Sequence, residues 1–317
     1  MSETNMSDQV STVALVTGAS GLMGRALVAE LQATPGTQAI GVASADADLT
    51  DFEATRAMME RHKPTIVYHL AARVTGIMGN MRAQGQAFLD NIRMNTNVIE
   101  AARLAGVRKV VAMGSTAIYS DMVRLPMVEE ELWIGPPHGS EAGYAHAKRA
   151  MLAQLQAYRD QYGMEFAFCI STNLFGPHDK FDEENGHVLP SLISKFHRAT
   201  QRGEDVTVWG TGTPERDFFY VKDAATAMRM IGESFGGPIN LATGKAISIH
   251  GVANLLKQIS GLKGELTWDR TKPDGQKMRA YDTSKLEALG FTPRYTLEEA
   301  LRETYAWYNE NAAQARR

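Results

Sequence analysis

Tyr144 and Lys148 stand four residues apart in Tyr144-Ala145-His146-Ala147-Lys148. On a helix that spacing puts both side chains on one face, a turn apart. An ammonium group beside a phenol favours the phenolate. A free tyrosine titrates near ~10, so a neighbour of this kind suits it to proton transfer near neutral pH. The same spacing recurs at Tyr281-Asp282-Thr283-Ser284-Lys285, where Asp282, Thr283 and Ser284 read as caps and turn formers at a helix entrance. Context separates the two. Ahead of Tyr144 runs an apolar stretch that ends in a hydroxyl residue, Val110-Val111-Ala112-Met113-Gly114-Ser115, and before that comes a glycine-rich turn.

That turn is Gly18-Ala19-Ser20-Gly21-Leu22-Met23-Gly24. It follows a short β-branched run, residues 12–17, and precedes a helical pattern at 25–31. Strand, glycine turn and helix make the dinucleotide-binding arrangement. Gly18 permits the tight turn, Gly21 lets the backbone approach a pyrophosphate, and Gly24 lets the helix pack on the strand. The helix N-terminus offers free N–H groups to the phosphates. A second strand is expected at 38–43. The ribose-binding acid or phosphate-binding arginine that would follow it is replaced by Ala43-Ser44-Ala45-Asp46. Asp46 could face a 2′-hydroxyl and Ser44 a 2′-phosphate, so these residues leave NAD and NADP both open. In Asp48-Leu49-Thr50-Asp51, Asp48 is placed to accept from an adenine amino group and Leu49 to pack on the ring. Simple N-capping of the next helix is an equal reading.

The elements that must position these residues alternate. Residues 65–70 read as a fourth strand, ending in a small-residue loop through Ala71 at the carboxyl end of the sheet, where such folds bind ligands. A helix at 91–104 precedes a strand at 109–113. The Tyr144 helix runs to about 162, and a strand at 166–171 follows. This alternation predicts an α/β fold with a Rossmann-type, doubly wound parallel sheet. After residue 177 the pattern breaks into loops around helices at 188–200, 221–235, 249–259 and 297–309, with strands at 206–209 and 238–242. The expected organisation is a dinucleotide-binding domain over 1–175, with a return segment at about 220–245. A smaller α/β substrate-binding domain would comprise 176–219 and 246–317.

Length and composition fit this picture. The 317 residues allow one large or two moderate domains. Apolar content of 44% and charged content of 22% are ordinary globular values. A net charge of −3 gives no basic field for nucleic acid or anionic membrane. The lone cysteine, Cys169, forbids an intrachain disulfide and suggests a cytoplasmic location. No apolar run reaches the ~20 residues needed to span a bilayer.

The glycine turn, Ser115 and the Tyr144/Lys148 pair resemble the extended short-chain dehydrogenase/reductases. Five further segments are more specific: Arg73-Val74-Thr75-Gly76-Ile77, the stretches from Thr172 to Asp179, Asn185 to Pro190 and Val208 to Phe218, and Lys272-Pro273-Asp274-Gly275. Together they resemble the GDP-L-fucose synthases, the GDP-4-keto-6-deoxymannose epimerase/reductases, along nearly the whole chain. The resemblance implies NADP(H) as cofactor, with NAD(H) possible, and a GDP-sugar substrate. It implies Tyr144 as proton donor to a C4 carbonyl oxygen, Ser115 as a hydrogen bonder of the same oxygen, and Lys148 as ribose contact and modulator of the phenol. Gly18, Ser20, Gly21, Leu22, Met23, Gly24, Asp48, Leu49, Ala71, Ser171, Asn173 and Leu174 would lie along the cofactor. Thr116, Asn173, Lys195, Trp209, Arg216 and Asp274 would meet the substrate. His187 would be the acid of the epimerisation step.

The chain departs from that pattern in two places. Where the family has a cysteine two residues after the catalytic serine, this chain has Ala117, and a methyl group cannot take a proton. The family's cofactor arginines are also absent, with Ser20 in the glycine turn and Ser44 after the second strand. The expected activity is therefore C4 reduction with epimerase activity lost or reduced. The alternatives are a bifunctional epimerase/reductase in which another group replaces the cysteine, and a non-catalytic nucleotide-sugar-binding protein. Relatives of this fold pair two long helices about a two-fold axis, so a homodimer is expected.

Overall fold

The computed structural model describes residues 11–74, 82–183, 186–272, 274 and 276–316. The first half comprises β1 (Thr12–Thr17), α1 (Leu22–Gln32), β2 (Thr37–Val42), α2 (Phe52–His62), β3 (Ile66–His69), α3 (Gln84–Leu104), β4 (Lys109–Met113), α4 (Ala142–Tyr162) and β5 (Glu165–Ser171). The second comprises β6 (Asn173–Phe175), α5 (Val188–Arg202), β7 (Val206–Trp209), β8 (Glu215–Tyr220), α6 (Val221–Ser234), β9 (Gly237–Leu241), β10 (Ala246–Ser248), α7 (Ile249–Ser260), β11 (Leu266–Asp269), α8 (Ser284–Ala288) and α9 (Leu297–Asn311).

Six strands form one sheet in the order β2-β1-β3-β4-β5-β9, and every pairing is parallel. This is the doubly wound fold expected above. The sheet's inner strands are short apolar runs buried on both faces, β3 along its whole length, as a parallel sheet between two helical layers requires. Met23 and Leu27 of α1 pack with Ala224 and Met228 of α6 on one face. Met58 of α2, Ile99 of α3 and Leu152 of α4 cover the other. Each fully buried side chain of this size contributes about 1.5–3 kcal/mol, which fixes α4 against the sheet.

Beyond the sheet, β6, β8 and β10 form a three-stranded sheet, and β7 pairs with β11. One continuous apolar cluster runs from Ala14 and Leu27 through Ile193 and Phe196 of α5 to Leu256 of α7 and Leu301 of α9. The wall that faces the glycine turn is therefore packed into the same core.

Two expectations need correction. Residues 65–70 hold the third strand among the described residues, not the fourth, with β1 and β2 before it. The helix expected at 91 begins at Gln84. Its first seven residues bury only Ala87, so they carry no apolar period to read. The short strands β6, β8, β10 and β11 were not anticipated. Of the resembling segments, residues 75–77, 185, 273 and 275 lie outside the described residues.

Candidate active site

The strand order reverses between β1 and β3, and ligands of open parallel sheets bind outside the carboxyl ends of the strands at such a point. The Gly18 turn leaves β1 there and the Ala71 loop leaves β3. Gly18 has φ +71°, and a Cβ on it would stand 2.9 Å from the Ala71 nitrogen. On Gly24 a Cβ would stand 2.2 Å from the Gly18 carbonyl oxygen. Both positions admit only glycine. Gly21 is the N-cap of α1, and no side chain caps that helix, so its first N–H groups remain for a ligand. This cradle fits a dinucleotide pyrophosphate. Ser20 is exposed, Leu22 and Ala71 are half-buried, and Met23 turns into the core.

Other residues expected at the cofactor are held in specific ways. The Asp48 carboxylate accepts from the Thr50 N–H at 2.9 Å and its hydroxyl at 2.7 Å, while the N-cap of α2 in this tetrapeptide is Asp51. Leu49 is 7% exposed and belongs to the core, so it supports the loop from behind and has little surface left for a ring. Ser171 donates to the Thr172 carbonyl, and the Asn173 side-chain amide donates to the Asp217 carbonyl. Leu174 is half-buried beside them.

Tyr144 and Lys148 sit on one face of α4, and both are buried. Lys148 Nζ lies 5.8 Å from the centre of the Tyr144 ring and donates to the Met113 carbonyl at 2.8 Å. Ser115 follows β4 and lies close enough to the Tyr144 side chain to act on its pKa. Burial raises the phenol's pKa and the Glu141 charge adds to this, while the Ser115 contact opposes it. Burial brings Lys148 down to about 7. A lysine at that value changes charge near neutral pH, as a group that works beside a proton donor can use. Tyr281, which has the same spacing to Lys285, stands in the core against Tyr119.

Sequence reasoning missed a buried hydrogen-bond chain beneath this pair. Thr17 Oγ1 accepts from the N–H groups of Leu70 and Ala71, each at 3.2 Å. Its own proton is thereby left for His69 Nδ1, 2.9 Å away. The opposite ring nitrogen, Nε2, then donates to Asn95 Oδ1 at 3.0 Å. The Asn95 amide donates to the Ala147 carbonyl, between Tyr144 and Lys148, at 3.4 Å. His69 is fully buried, and burial followed by the Lys148 charge depresses it to about 3, so the ring stays neutral. A histidine that closes a wholly buried strand was the signal in the sequence; Asn95 lies among the other polar residues of α3.

The facing wall carries cations. Arg216 Nη1 donates only to backbone carbonyls, those of Glu215 and Gln276, each at 2.7 Å. Burial, then the neighbouring Arg279 charge, pushes its pKa down. Arg279, which the sequence did not single out, reaches the Thr116 carbonyl at 3.4 Å. Two adjacent guanidiniums without a carboxylate partner among the described residues have the charge and the donors to grip a diphosphate. Thr116 and Ala117 are buried in the turn after Ser115. Trp209 is 64% exposed, which rules out a core role, and Lys272 Nζ lies 5.5 Å from the centre of its ring. Lys195 donates to the Thr207 carbonyl on the same strand at 3.0 Å. Asp274 accepts from the Thr211 N–H and hydroxyl at 2.8 and 2.7 Å, so it staples the loop beside Trp209. His187 is the N-cap of α5 and is exposed. The protein around its ring nevertheless lowers its pKa, and the Glu141 charge opposes this. Glu141 thus lies near enough to both His187 and Tyr144 for its charge to act on each.

A model of the NAD dependent epimerase/dehydratase family matches residues 14–242. GDP-L-fucose synthase 1 of Arabidopsis thaliana is 38% identical over 310 residues, covering 97% of this chain and 96% of the relative. A crystal structure of a GDP-L-fucose synthetase from Naegleria fowleri bound to NADP is 37% identical with a TM-score of 0.89, and each chain is covered completely. A GDP-6-OMe-4-keto-L-xylo-heptose reductase from C. jejuni is 26% identical with a TM-score of 0.89, over 96% of this chain and 99% of that one.

Proposed function

The chain belongs to the NAD dependent epimerase/dehydratase family, and on that premise we propose that it is an NADP(H)-dependent reductase of a GDP-linked 4-keto sugar that leaves C3 and C5 unexchanged. The reading is supported by relatives named as GDP-L-fucose synthases, by a structural neighbour that binds NADP, and by one named as a GDP-4-keto-heptose reductase. One observation carries it: Ser115 and Lys148 both lie near the Tyr144 phenol, while position 117 carries a methyl.

Reduction adds a hydride to the carbonyl carbon and a proton to its oxygen. Reduced nicotinamide supplies the hydride when bound. The chain supplies the proton from the Tyr144 hydroxyl, with Ser115 as hydrogen-bonding partner of the same oxygen. Burial makes the phenol a poor acid in the free protein. An ammonium on Lys148 offsets this by stabilising the phenolate as the proton leaves. Arg216 and Arg279 hold the diphosphate, Trp209 offers a flat apolar surface at the cleft, and Lys195 anchors its strand.

Epimerisation needs a donor and an acceptor on opposite faces of the sugar ring. His187 stands at the cleft, but Ala117 offers no partner. The test is turnover of GDP-4-keto-6-deoxymannose with NADPH in deuterated water. Oxidation of NADPH with no deuterium at C3 or C5 is expected, and Ala117→Cys should restore partial exchange. Stoichiometric deuterium at both carbons with the unmodified protein would return the chain to the bifunctional enzymes. Tight cofactor binding without turnover of any keto sugar would make it a binding protein.

We also propose a homodimer through α3 and α4. Their outer face leaves Phe88, Leu89 and the nearby Trp133 39–50% exposed, around a hollow lined by Ala142, His146 and Ala150. Apolar residues on two long neighbouring helices suit a two-fold four-helix contact.

A further inference from the structure

We propose that the dinucleotide site accepts NAD(H) on equal terms with NADP(H), and that Ser44 and Asp46 at the end of β2 set the balance between them. This rests on the dinucleotide reading of the glycine cradle above. The two cofactors differ only at the adenosine ribose, which bears a 2′-hydroxyl in one and a 2′-phosphate in the other. In this fold that ribose is read just beyond the second strand. The geometry identifies the place. The Ala19 N–H of the glycine turn donates to the Val42 carbonyl at 3.1 Å. A Cβ on Gly41 would stand 2.8 Å from the Ala19 side chain. The end of β2 and the cradle are thus in direct contact, and the loop 43–46 borders the crevice.

That loop is fixed and acidic. The Asp46 carboxylate accepts from the Ala43 N–H at 2.8 Å, closing the turn. Asp48 and Asp51 follow, one bonded to Thr50 and the other capping α2. All three are exposed. From Ala26 to Thr55 the chain contains five acidic residues and no lysine or arginine. The next arginine, Arg56, is bound to Glu53 and Glu60. Arg25 directs its Nε to the Ser20 carbonyl and lies near enough to His178 to act on it. A 2′-phosphate, carrying about −1.5 to −2 near neutral pH, meets a hydroxyl at Ser44 and a field of like sign. A 2′-hydroxyl meets a carboxylate able to accept its proton. Arginine makes the bidentate contact by which phosphate is preferred, and neither Ser20 nor Ser44 can supply it.

Fluorescence titration of the protein with NADPH and with NADH tests this without turnover. Dissociation constants within about threefold of each other are expected, with a ratio that moves slightly toward NADPH as KCl rises from about 50 to about 500 mM, because salt screens the like-sign carboxylates and no cation–phosphate pair is there to weaken. Ser44→Arg should tighten NADPH by about tenfold or more and leave NADH nearly unchanged. Asp46→Asn should shift the ratio the same way, by less. NADPH binding more than about tenfold tighter than NADH in the unmodified protein would overturn the proposal. So would a Ser44→Arg variant that binds both cofactors as before, since the loop would then not face the 2′ position. Failure of both cofactors to bind would overturn the dinucleotide reading itself.

Discussion

Lys148→Met should cost activity and add stability at the same time. The buried ammonium is shifted from the ordinary 10.5 to about 7, an interval that corresponds to roughly 5 kcal/mol of preference for the neutral form in the folded protein. Below pH 7 both folded and unfolded chains carry the charge, and the folded state bears this cost in full. Between pH 7 and 10.5 the folded lysine is neutral while the unfolded one still binds a proton, so stability rises with pH across that window. Methionine fills the same space without a charge. It leaves the Met113 carbonyl without its 2.8 Å donor, a loss of about 1–3 kcal/mol. A net gain of about 2–4 kcal/mol at pH 6.5 remains, fading toward pH 10. Keto-sugar reduction should fall by about 10²–10⁴, since the phenolate loses its counter-charge. Urea unfolding from pH 6 to 10, set beside steady-state NADPH oxidation, reads both effects. A variant that is less stable than the parent throughout, or that keeps its turnover, would refute the placing of a strained lysine in the mechanism.

Tyr144→Phe should lower reduction by about 10²–10⁴ while reduced cofactor still binds, as stopped assays and cofactor fluorescence will show. Asp179 lies 7% exposed with Oδ1 accepting the Lys180 N–H, and its Oδ2 has no partner among the described residues. Burial raises it to about 7, so the folded chain holds a proton that the unfolded one has lost, and stability falls as pH rises from about 4 to 7. Asp179→Asn should remove that fall and gain up to roughly 4 kcal/mol at pH 8, measured by denaturant titration at several pH values. Light scattering at micromolar concentration should report twice the chain mass, and Phe88→Glu with Trp133→Glu should reduce it to the monomer.

What was legible in the sequence was local. β1, the glycine turn and the Tyr144/Lys148 face declare themselves within a few residues, because strand and helix periods and the steric needs of a tight turn are properties of short segments. The catalytic helix therefore fell within two residues of its bounds, Ala142–Tyr162. What was not legible depends on partners far away in the chain. Arg279 reaches a carbonyl 163 positions earlier, and its pairing with Arg216 exists only once β8 and the 276–279 segment meet. Asp48 accepts from Thr50, and Leu49 packs in the core, partners that were not read from the sequence. His69 and Asn95, 26 positions apart, bond each other only once β3 and α3 are packed together.

The change at position 117 is informative because the scaffold around it is intact. Ser115 is held by the turn that follows β4, and that turn is made by backbone: the Ala117 N–H donates to Ser115 Oγ at 3.2 Å, and the Thr116 carbonyl accepts from Arg279. None of these contacts uses the side chain at 117. A thiol could be replaced there by a methyl without moving the serine, the tyrosine near it or the guanidinium that reaches the turn. Reduction asks for one proton donor at one oxygen. Epimerisation asks for two groups on opposite faces of a ring, each held within fractions of an ångström. On the proposed reading, a single substitution at a position whose backbone carries the structure would separate the two reactions, removing the more demanding one and leaving the other its groups.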